Sequence, residues 1–480
     1  CHLRTPLIMQ RELSSGVSTR VLFMGKKSPS TVRPVTVGPI LGAVAPDSAR
    51  VWGRGGEVER CLGVARIRCR LDGDEAEYSD SRFVNMKPHF DWTGVFVFPK
   101  LLPLTKYEYQ IGWIEPVITP EGNLEVDMSA LDWSGIKSHI FSTASDERQH
   151  LRSFVFGSCQ YKLKFSKGKY SDDRGDKIFK CIGQQFDAGM QTDALLMLGD
   201  QIFADGIEKN VDAYCDLYRD HFTEKNLGAL MARLPTYMTM NDHEIEASWP
   251  ETDNGKTRAT TYPAAMHSFL IYQMSHSPLM TLSAGGHRIE GIPKKYWYAF
   301  KDGCCDFFIL DGRTERTLDE NNRKIISEEQ MLALQAWLVD KSEGVKFIGS
   351  CVPFFPDDTY GNDATWGGFT SQRKKLLDFI RENKIPRVVF LSGHVNSAMG
   401  SKVTFADDPD FQIVSLVGGS FFWPFSKQFV PSSGSLEGAA GYSVEHATEI
   451  IKQDNFARVT ASSDEVTFDV YSRKNKGLAR

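Results

Sequence analysis

The sequence predicts a mixed α/β protein in which an antiparallel β-sandwich precedes a larger α/β domain built on a covered sheet. Three observations predict this. Short β-type runs broken by Gly and Pro fill residues 37 to about 143. From about Leu151 onward, apolar runs of strand length alternate with amphipathic helical stretches. Four of those apolar runs stop at polar residues of the kind that bind ligands. With 480 residues the chain is long enough for two domains. The expected division is an N-terminal extension at 1–36, the sandwich at 37–146 and the α/β domain at 147–480.

Residues 1–36 are polar, include Lys26-Lys27-Ser28-Pro29-Ser30 and lack periodicity, which suits an extension. The sandwich strands are read at Gly38 to Gly42, Ser48 to Gly55, Val64 to Leu71, Gly94 to Pro103 and Lys106 to Ile114. In the α/β part, Phe154 to Gln160, Ala194 to Asp205, Thr236 to Glu244 and Val388 to Ala398 each begin as a buried strand. Ser327 to Lys341 predicts a helix with Ser327 as its N-cap and Met331, Leu334 and Leu338 on one face. Ser371 to Asn383 predicts a second amphipathic helix, and Pro386 separates it from the Val388 strand. Phe411 to Gly419 and Val466 to Ser472 read as closing strands. Phe421 to Gly441, rich in aromatic residues, Ser, Gly and Pro, reads as a long loop or lid.

Composition narrows the function classes. A formal charge of −5 gives no long-range attraction to nucleic acid. No stretch approaches the roughly 18 apolar residues that span a bilayer. Nine cysteines occur without a CxxC pair, so neither a zinc ribbon nor a thioredoxin-like motif is expected. Cys1 in first position leaves open both a processed, lipid-anchored N-terminus and a truncated start.

The chemistry lies where the strands end. Ligand sites of α/β sheets sit just beyond the carboxyl ends of their strands. The residues found there are Cys159, Asp200, Asn241, Asp242, His243, His394 and Asn396. A thiol, carboxylates, amides and imidazoles together suit a divalent or trivalent metal. Gly199 allows the sharp turn that would leave Asp200 at the exposed end. Alone, Asp200 reads equally well as a structural turn and Cys159 as a core thiol. Their coincidence with Asp242-His243 and Gly393-His394 favours a metal centre, with all these side chains meeting at one rim of a single sheet.

The ordered segments GSCQ, LGDQIFAD, NDHE, LDGRTER (Leu310 to Arg316), a Q–WL helix and LSGHVN are similar to those of the PhoD-like family. That family contains alkaline phosphatase D and the metal-dependent, non-HKD phospholipase D, within the metallophosphoesterases. The resemblance runs from about Val37 to about Val470. It implies a four-layer αββα catalytic domain and an immunoglobulin-like N-terminal domain. It implies that Cys159 binds one metal, iron in the family, and that Asp200 bridges to a second, often calcium. Asp242, with Asn241, would serve the second metal, His394 would complete it, and His243 would protonate the leaving oxygen. The resemblance also implies a secreted or cell-envelope protein.

Two positions depart from the family pattern. Phe203 stands where a tyrosine phenolate is usual, and Asn396 stands where the last motif normally ends in histidine. Both changes fall on the metal assigned to Cys159, so Zn, Mn or Mg are alternatives to iron and calcium there. The expected activity is metal-dependent hydrolysis of phosphate mono- or diesters, with Asp200 holding the cations and His243 as general acid. Arg313 and Arg316 would clamp phosphate oxygens or else form surface ion pairs. The alternatives are a phospholipase D acting on phosphatidylcholine-type diesters and a catalytically weak homologue that binds phosphorylated ligands. The partner is then a small phosphate ester or a phospholipid, and the chain a monomer. His267, His276 and His287 read as structural or solvated. Trp366, Phe421, Phe422 and Trp423 read as core or as an apolar wall.

Overall fold

The computed structural model describes residues 21–22 and 30–479, apart from 72–73, 79, 119–123, 127, 166–169, 252–254, 284–288, 341–342, 358–361, 426–441 and 475. His287, most of the expected N-terminal extension and most of the expected lid lie outside the described residues. The chain divides into two units, Cys1–Thr143 with Ser275–Lys294, and Ala144–Met274 with Lys295–Arg480.

The first unit is β-rich. Val37–Val44, Ser48–Arg54 and Thr93–Pro99 pair antiparallel, and Cys61–Leu71 pairs antiparallel with both Asp80–Met86 and Lys106–Ile114. Alternate residues such as Val51, Phe96, Ala65 and Ile111 turn inward into one apolar core. Two boundaries differ from the expectation. Val32 is buried and Arg33–Pro34 pairs with Trp113 and Gly112, so this end of the predicted extension belongs to a sheet. The segment around His276, expected in the α/β part, packs so closely on Gly42 that a Cβ there would lie 2.3 Å from the His276 carbonyl oxygen. Neither pairing has a local sequence signal.

The second unit is a mixed α/β fold carrying two seven-stranded sheets. In the first sheet β1 (Arg152–Gln160), β2 (Ala194–Leu198) and β3 (Thr236–Thr239) are parallel neighbours. Asn455–Ala461 and Val466–Ser472 continue that sheet antiparallel on the far side of β1. In the second sheet β4 (Cys305–Ile309), β5 (Val345–Ser350) and β6 (Val388–Ser392) run parallel. The two-residue period of a strand then sorts the side chains. Phe307 and Phe347, partners in register, pack edge-on against Phe154 of the first sheet, with ring centroids 5.1 and 5.0 Å away. Their neighbours Phe308 and Ile348 face the opposite way into a core shared with two helices.

Those helices are α1 (Glu328–Leu338) and α2 (Thr370–Glu382), within a turn of the predicted limits. Ser327 caps α1 as its position predicts, its Oγ accepting the Gln330 N–H at 3.1 Å, a contact worth about 1 kcal/mol. Met331, Leu334 and Leu338 of α1 and Leu376, Leu377 and Ile380 of α2 are buried in that core. Each buried side chain of this size contributes roughly 1.5–3 kcal/mol. No helix among the described residues is long and apolar enough to cross a membrane.

Candidate metal centre

The carboxyl ends of β1, β2 and β3 lie side by side, because the strands are parallel neighbours. They deliver Cys159, Asp200 and the Asn241–His243 turn to one place. His394 and Asn396 follow β6, which belongs to the other sheet. The centre therefore spans the edges of two sheets, correcting the expectation of a single one. Ser158 joins the two edges by accepting the His394 N–H at its Oγ, 3.0 Å away. Gly393 makes the approach feasible, since a Cβ there would come 2.1 Å from that Oγ.

Within the cluster the distances are short. Cys159 Sγ donates to Asp200 Oδ2 at 3.0 Å, and Asn241 Nδ2 donates to the same oxygen at 2.9 Å and to His394 Nδ1 at 2.7 Å. His394 Nδ1 lies 3.7 Å from Asp242 Oδ1. Asp200, Asp242 and His243 each place a donor atom within 4.8 Å of the others. His243, expected as a proton donor, thus also stands at ligand distance.

Four of these residues hold left-handed backbone: Cys159 at φ 52°, Asp200 at 57°, His394 at 72° and Asn396 at 53°. For residues with a Cβ this costs of order 1–3 kcal/mol each and persists only where surrounding contacts dictate it. Sequence reading anticipated the turn at Gly199 but not the strain at its non-glycine neighbours.

Two buried groups brace the centre, Glu244 at the Asp200 backbone and Arg313 at Asn241 and Asp242, and neither role was anticipated. Glu244 accepts three backbone N–H bonds, from Asp200 at 3.0 Å, Gln201 at 2.6 Å and Asn241 at 2.8 Å. Burial, then the charge of Asp200, push its carboxyl up to about 8 against the pull of those donors. Arg313 is buried and turned inward, donating to Asn241 Oδ1 at 2.7 Å, to the Trp249 carbonyl at 2.7 Å and to Asp242 Oδ1 at 3.3 Å. Arg316 is buried as well, donating to the carbonyls of Gly312 and Asp363 and to Glu251. These partners replace the expected phosphate clamp. Arg313 can only donate, so Asn241 must turn its oxygen toward it and its amide nitrogen toward Asp200. Asn241 therefore links Arg313 to Asp200 and His394, its oxygen engaged by Arg313 where a metal ligand was expected.

The charges reinforce one another. Burial pushes Asp242 up, but the neighbouring Arg313, His243 and His394 outweigh it and hold the carboxyl well below its usual range. Burial also raises Asp200, and again the two imidazoles prevail, lowering it. The Cys159 thiol is pushed well above its ordinary value by burial and by Asp200. For His243, burial pulls the imidazole down, yet its bond to Asp205 Oδ2 at 2.7 Å and the charges of Asp242 and Asp200 raise it to about 10.

Phe203 packs on the His243 ring at 4.4 Å and near Trp423 at 5.6 Å, a wall without a donor atom. Of the other aromatic candidates, Trp366, Phe421 and Phe422 are core residues.

The donor set fits a cation. Asp200 Oδ1 and Asn396 Oδ1 are both buried with no hydrogen-bond partner. An orphaned buried acceptor costs roughly 1–3 kcal/mol or more, and a cation beside such an oxygen would satisfy it. A cation would also convert the Cys159 thiol into a thiolate ligand.

The model of the family described as PhoD-like phosphatase matches residues 154–473. Alkaline phosphatase D of Bacillus subtilis (strain 168) is 23% identical over 297 residues, covering 52% of this chain and 47% of the relative. The chain therefore aligns with about half the length of that curated relative. A solved structure described as that of PhoD superposes with a TM-score of 0.66 at 16% identity, covering 95% of this chain and 94% of the other, which shows the shared fold. The chain belongs to the PhoD-like phosphatase family, a family of metal-dependent phosphoesterases.

Proposed function

We propose that this protein hydrolyses phosphate monoesters or diesters at the centre built from Cys159, Asp200, Asp242, His243, His394 and Asn396. The observation that carries the reading is the orphaned Asp200 Oδ1, a buried carboxylate oxygen where three strand ends meet and no donor reaches it. Asp200, Asp242 and His394 would hold one cation, and Cys159 with Asn396 a second that shares Asp200. Iron at the thiolate side and calcium at the carboxylate side suit these donors, with Zn, Mn or Mg as alternatives. Bound there, the cations supply Lewis acidity and a nucleophile at neutral pH.

The chain's own residues supply the rest. His243 keeps its proton into the alkaline range and would give it to the leaving oxygen, with Asp205 fixing the ring's orientation. Phe203 and Trp423 shield the imidazole. Arg313 and Glu244 act as positioning residues for Asn241, Asp242 and Asp200. The packing of Phe154 on Phe307 and Phe347, with α1 and α2 on the outer face of the second sheet, supports a four-layer αββα reading of the second unit. The paired antiparallel strands of the first unit support an immunoglobulin-like sandwich.

The name of the Bacillus subtilis relative favours monoesters. Turnover of an aryl phosphomonoester, an aryl phosphodiester and phosphatidylcholine by the metal-loaded protein separates phosphatase from phosphodiesterase and phospholipase D. Phe203 and Asn396 favour a second reading, a weakly active homologue that binds phosphorylated ligands. Fewer than one tightly held cation per chain, with no turnover of any of the three esters, would establish that reading instead.

A further inference from the structure

We propose that a cavity of about 690 Å³ bordered by Lys452, Arg473, Lys474 and Lys476 is a subsite for a second phosphate group of the substrate, and this rests on the phosphoesterase reading above. The preferred substrates would be esters carrying a further phosphate beyond the scissile one.

The charge is local and predominantly positive. The chain as a whole is acidic, at −5, yet four cationic side chains surround this one hollow. None of the four forms a salt bridge among the described residues, although Arg473 lies within the field of Asp172. A carboxylate, Asp454, also lines the cavity, and its Oδ1 accepts the Trp423 N–H at 3.3 Å. A concave surface with an excess of one sign concentrates counter-charged ligands more than the same charges on a flat face. Phosphate oxygens accept strong charge-assisted hydrogen bonds from lysine and arginine heads.

The cavity adjoins the metal centre. Trp423 lines it, and the same indole lies 5.6 Å from the Phe203 ring and 6.5 Å from the His243 ring. A substrate phosphate next to His243 would therefore reach the cations by passing along one tryptophan. Phe425, half exposed and 5.1 Å from Trp423, extends that wall with an apolar surface for the linking segment. The cations stand on fixed backbone. Ile451, before Lys452, exchanges two 2.9 Å hydrogen bonds with Ala398, two residues beyond Asn396. Arg473 and Lys474 directly follow the strand Val466–Ser472, and the Cys181 thiol holds the Arg473 carbonyl at 2.7 Å.

The test compares hexane-1,6-diol monophosphate with hexane-1,6-diol bisphosphate, which share the same scissile alkyl ester and differ in a second phosphate on the departing alcohol. Phosphate release by the metal-loaded full chain is expected to favour the bisphosphate by about tenfold or more in kcat/KM, mainly through KM. In K474E/K476E, and more mildly in the charge-neutral K474Q/K476Q, that ratio should fall toward one. A wild-type ratio near one, or a ratio unchanged in both variants, overturns the subsite. Release from neither ester would instead count against the monoesterase form of the reading above. The subsite is then decided by calorimetric binding of hexane-1,6-bisphosphonate against hexylphosphonate. A preference for the bisphosphonate that is lost in the variants upholds it, and equal binding overturns it.

Discussion

Glu244 holds Asp200 by its backbone: Oε2 of the buried acid accepts the Asp200 N–H at 3.0 Å, so the turn carrying the central carboxylate hangs from a second carboxylate. The same acid holds Gln201 and Asn241, tying the end of β2 to the end of β3. Glu244→Ala would leave three buried N–H groups without an acceptor, at roughly 1–3 kcal/mol each. The predicted loss is about 3–6 kcal/mol in urea unfolding. Glu244→Gln keeps one oxygen but aims an amide N–H at a donor, so a smaller loss is expected, with kcat lowered about 10- to 100-fold as Asp200 shifts. A Gln variant with wild-type midpoint and wild-type kcat would remove Glu244 from this role.

His243 gives a pH dependence whose sign is fixed. Its folded-state imidazole is raised from 6.5 to about 10, so protonation favours the folded form. That contribution is complete below pH 6.5 and is lost as pH rises through about 10. Asp205→Asn removes the hydrogen-bonded charge and should bring the titration down toward neutral pH. Imidazole NMR of the chelator-treated protein reads this directly, and the alkaline limb of kcat/KM should move the same way. An unmoved titration in the Asn variant would mean that Asp242 and Asp200 alone hold the proton.

Much of this centre was legible because its signals are local. An apolar run that stops at a ligand-type residue is visible in the text, and Cys159, Asp200, Asp242 and His394 all lie close together. What the text could not show depends on long-range pairing. Nothing near Val388 says that β6 joins a different sheet from β1, which is why the two-sheet origin was missed. Glu244 ends a segment read for its neighbours, and its role emerges only when β2 lies beside β3. Arg313 reads as a phosphate clamp or a surface ion-pair residue in LDGRTER, yet the fold turns it inward onto Asn241 and Asp242. The His276 segment joins the first unit through a close approach to Gly42 that no periodicity announces.

Phe203 and Asn396 make metal retention the next prediction. An amide oxygen is a poorer donor to transition metals than imidazole, and phenylalanine offers none. Asn396→His should raise the fraction of metal retained after dialysis against a chelator, measured by elemental analysis. Phe203→Tyr loaded with ferric iron should gain a visible phenolate charge-transfer band that the wild type lacks. Neither readout requires turnover. Unchanged retention and no colour in the double variant would place the cation assigned to Cys159 away from these two side chains.

His221 predicts acid lability from a site outside the metal centre. It lies buried on the helix Val211–Phe222, and its Nδ1 has no hydrogen-bond partner. Burial lowers the imidazole to about 3, with Lys162 and Lys164 pushing the same way and Asp220 opposing. The unfolded chain accepts a proton near pH 6.5 while the folded chain refuses it until about pH 3. Stability is therefore full above pH 6.5 and erodes as pH falls toward 3, by about 2 kcal/mol at pH 5. His221→Gln has no such proton to take up, so the stability difference between wild type and variant should change by that amount between pH 7 and pH 5. Urea unfolding at both values measures it, and a difference that stays constant would show that His221 titrates alike in both states.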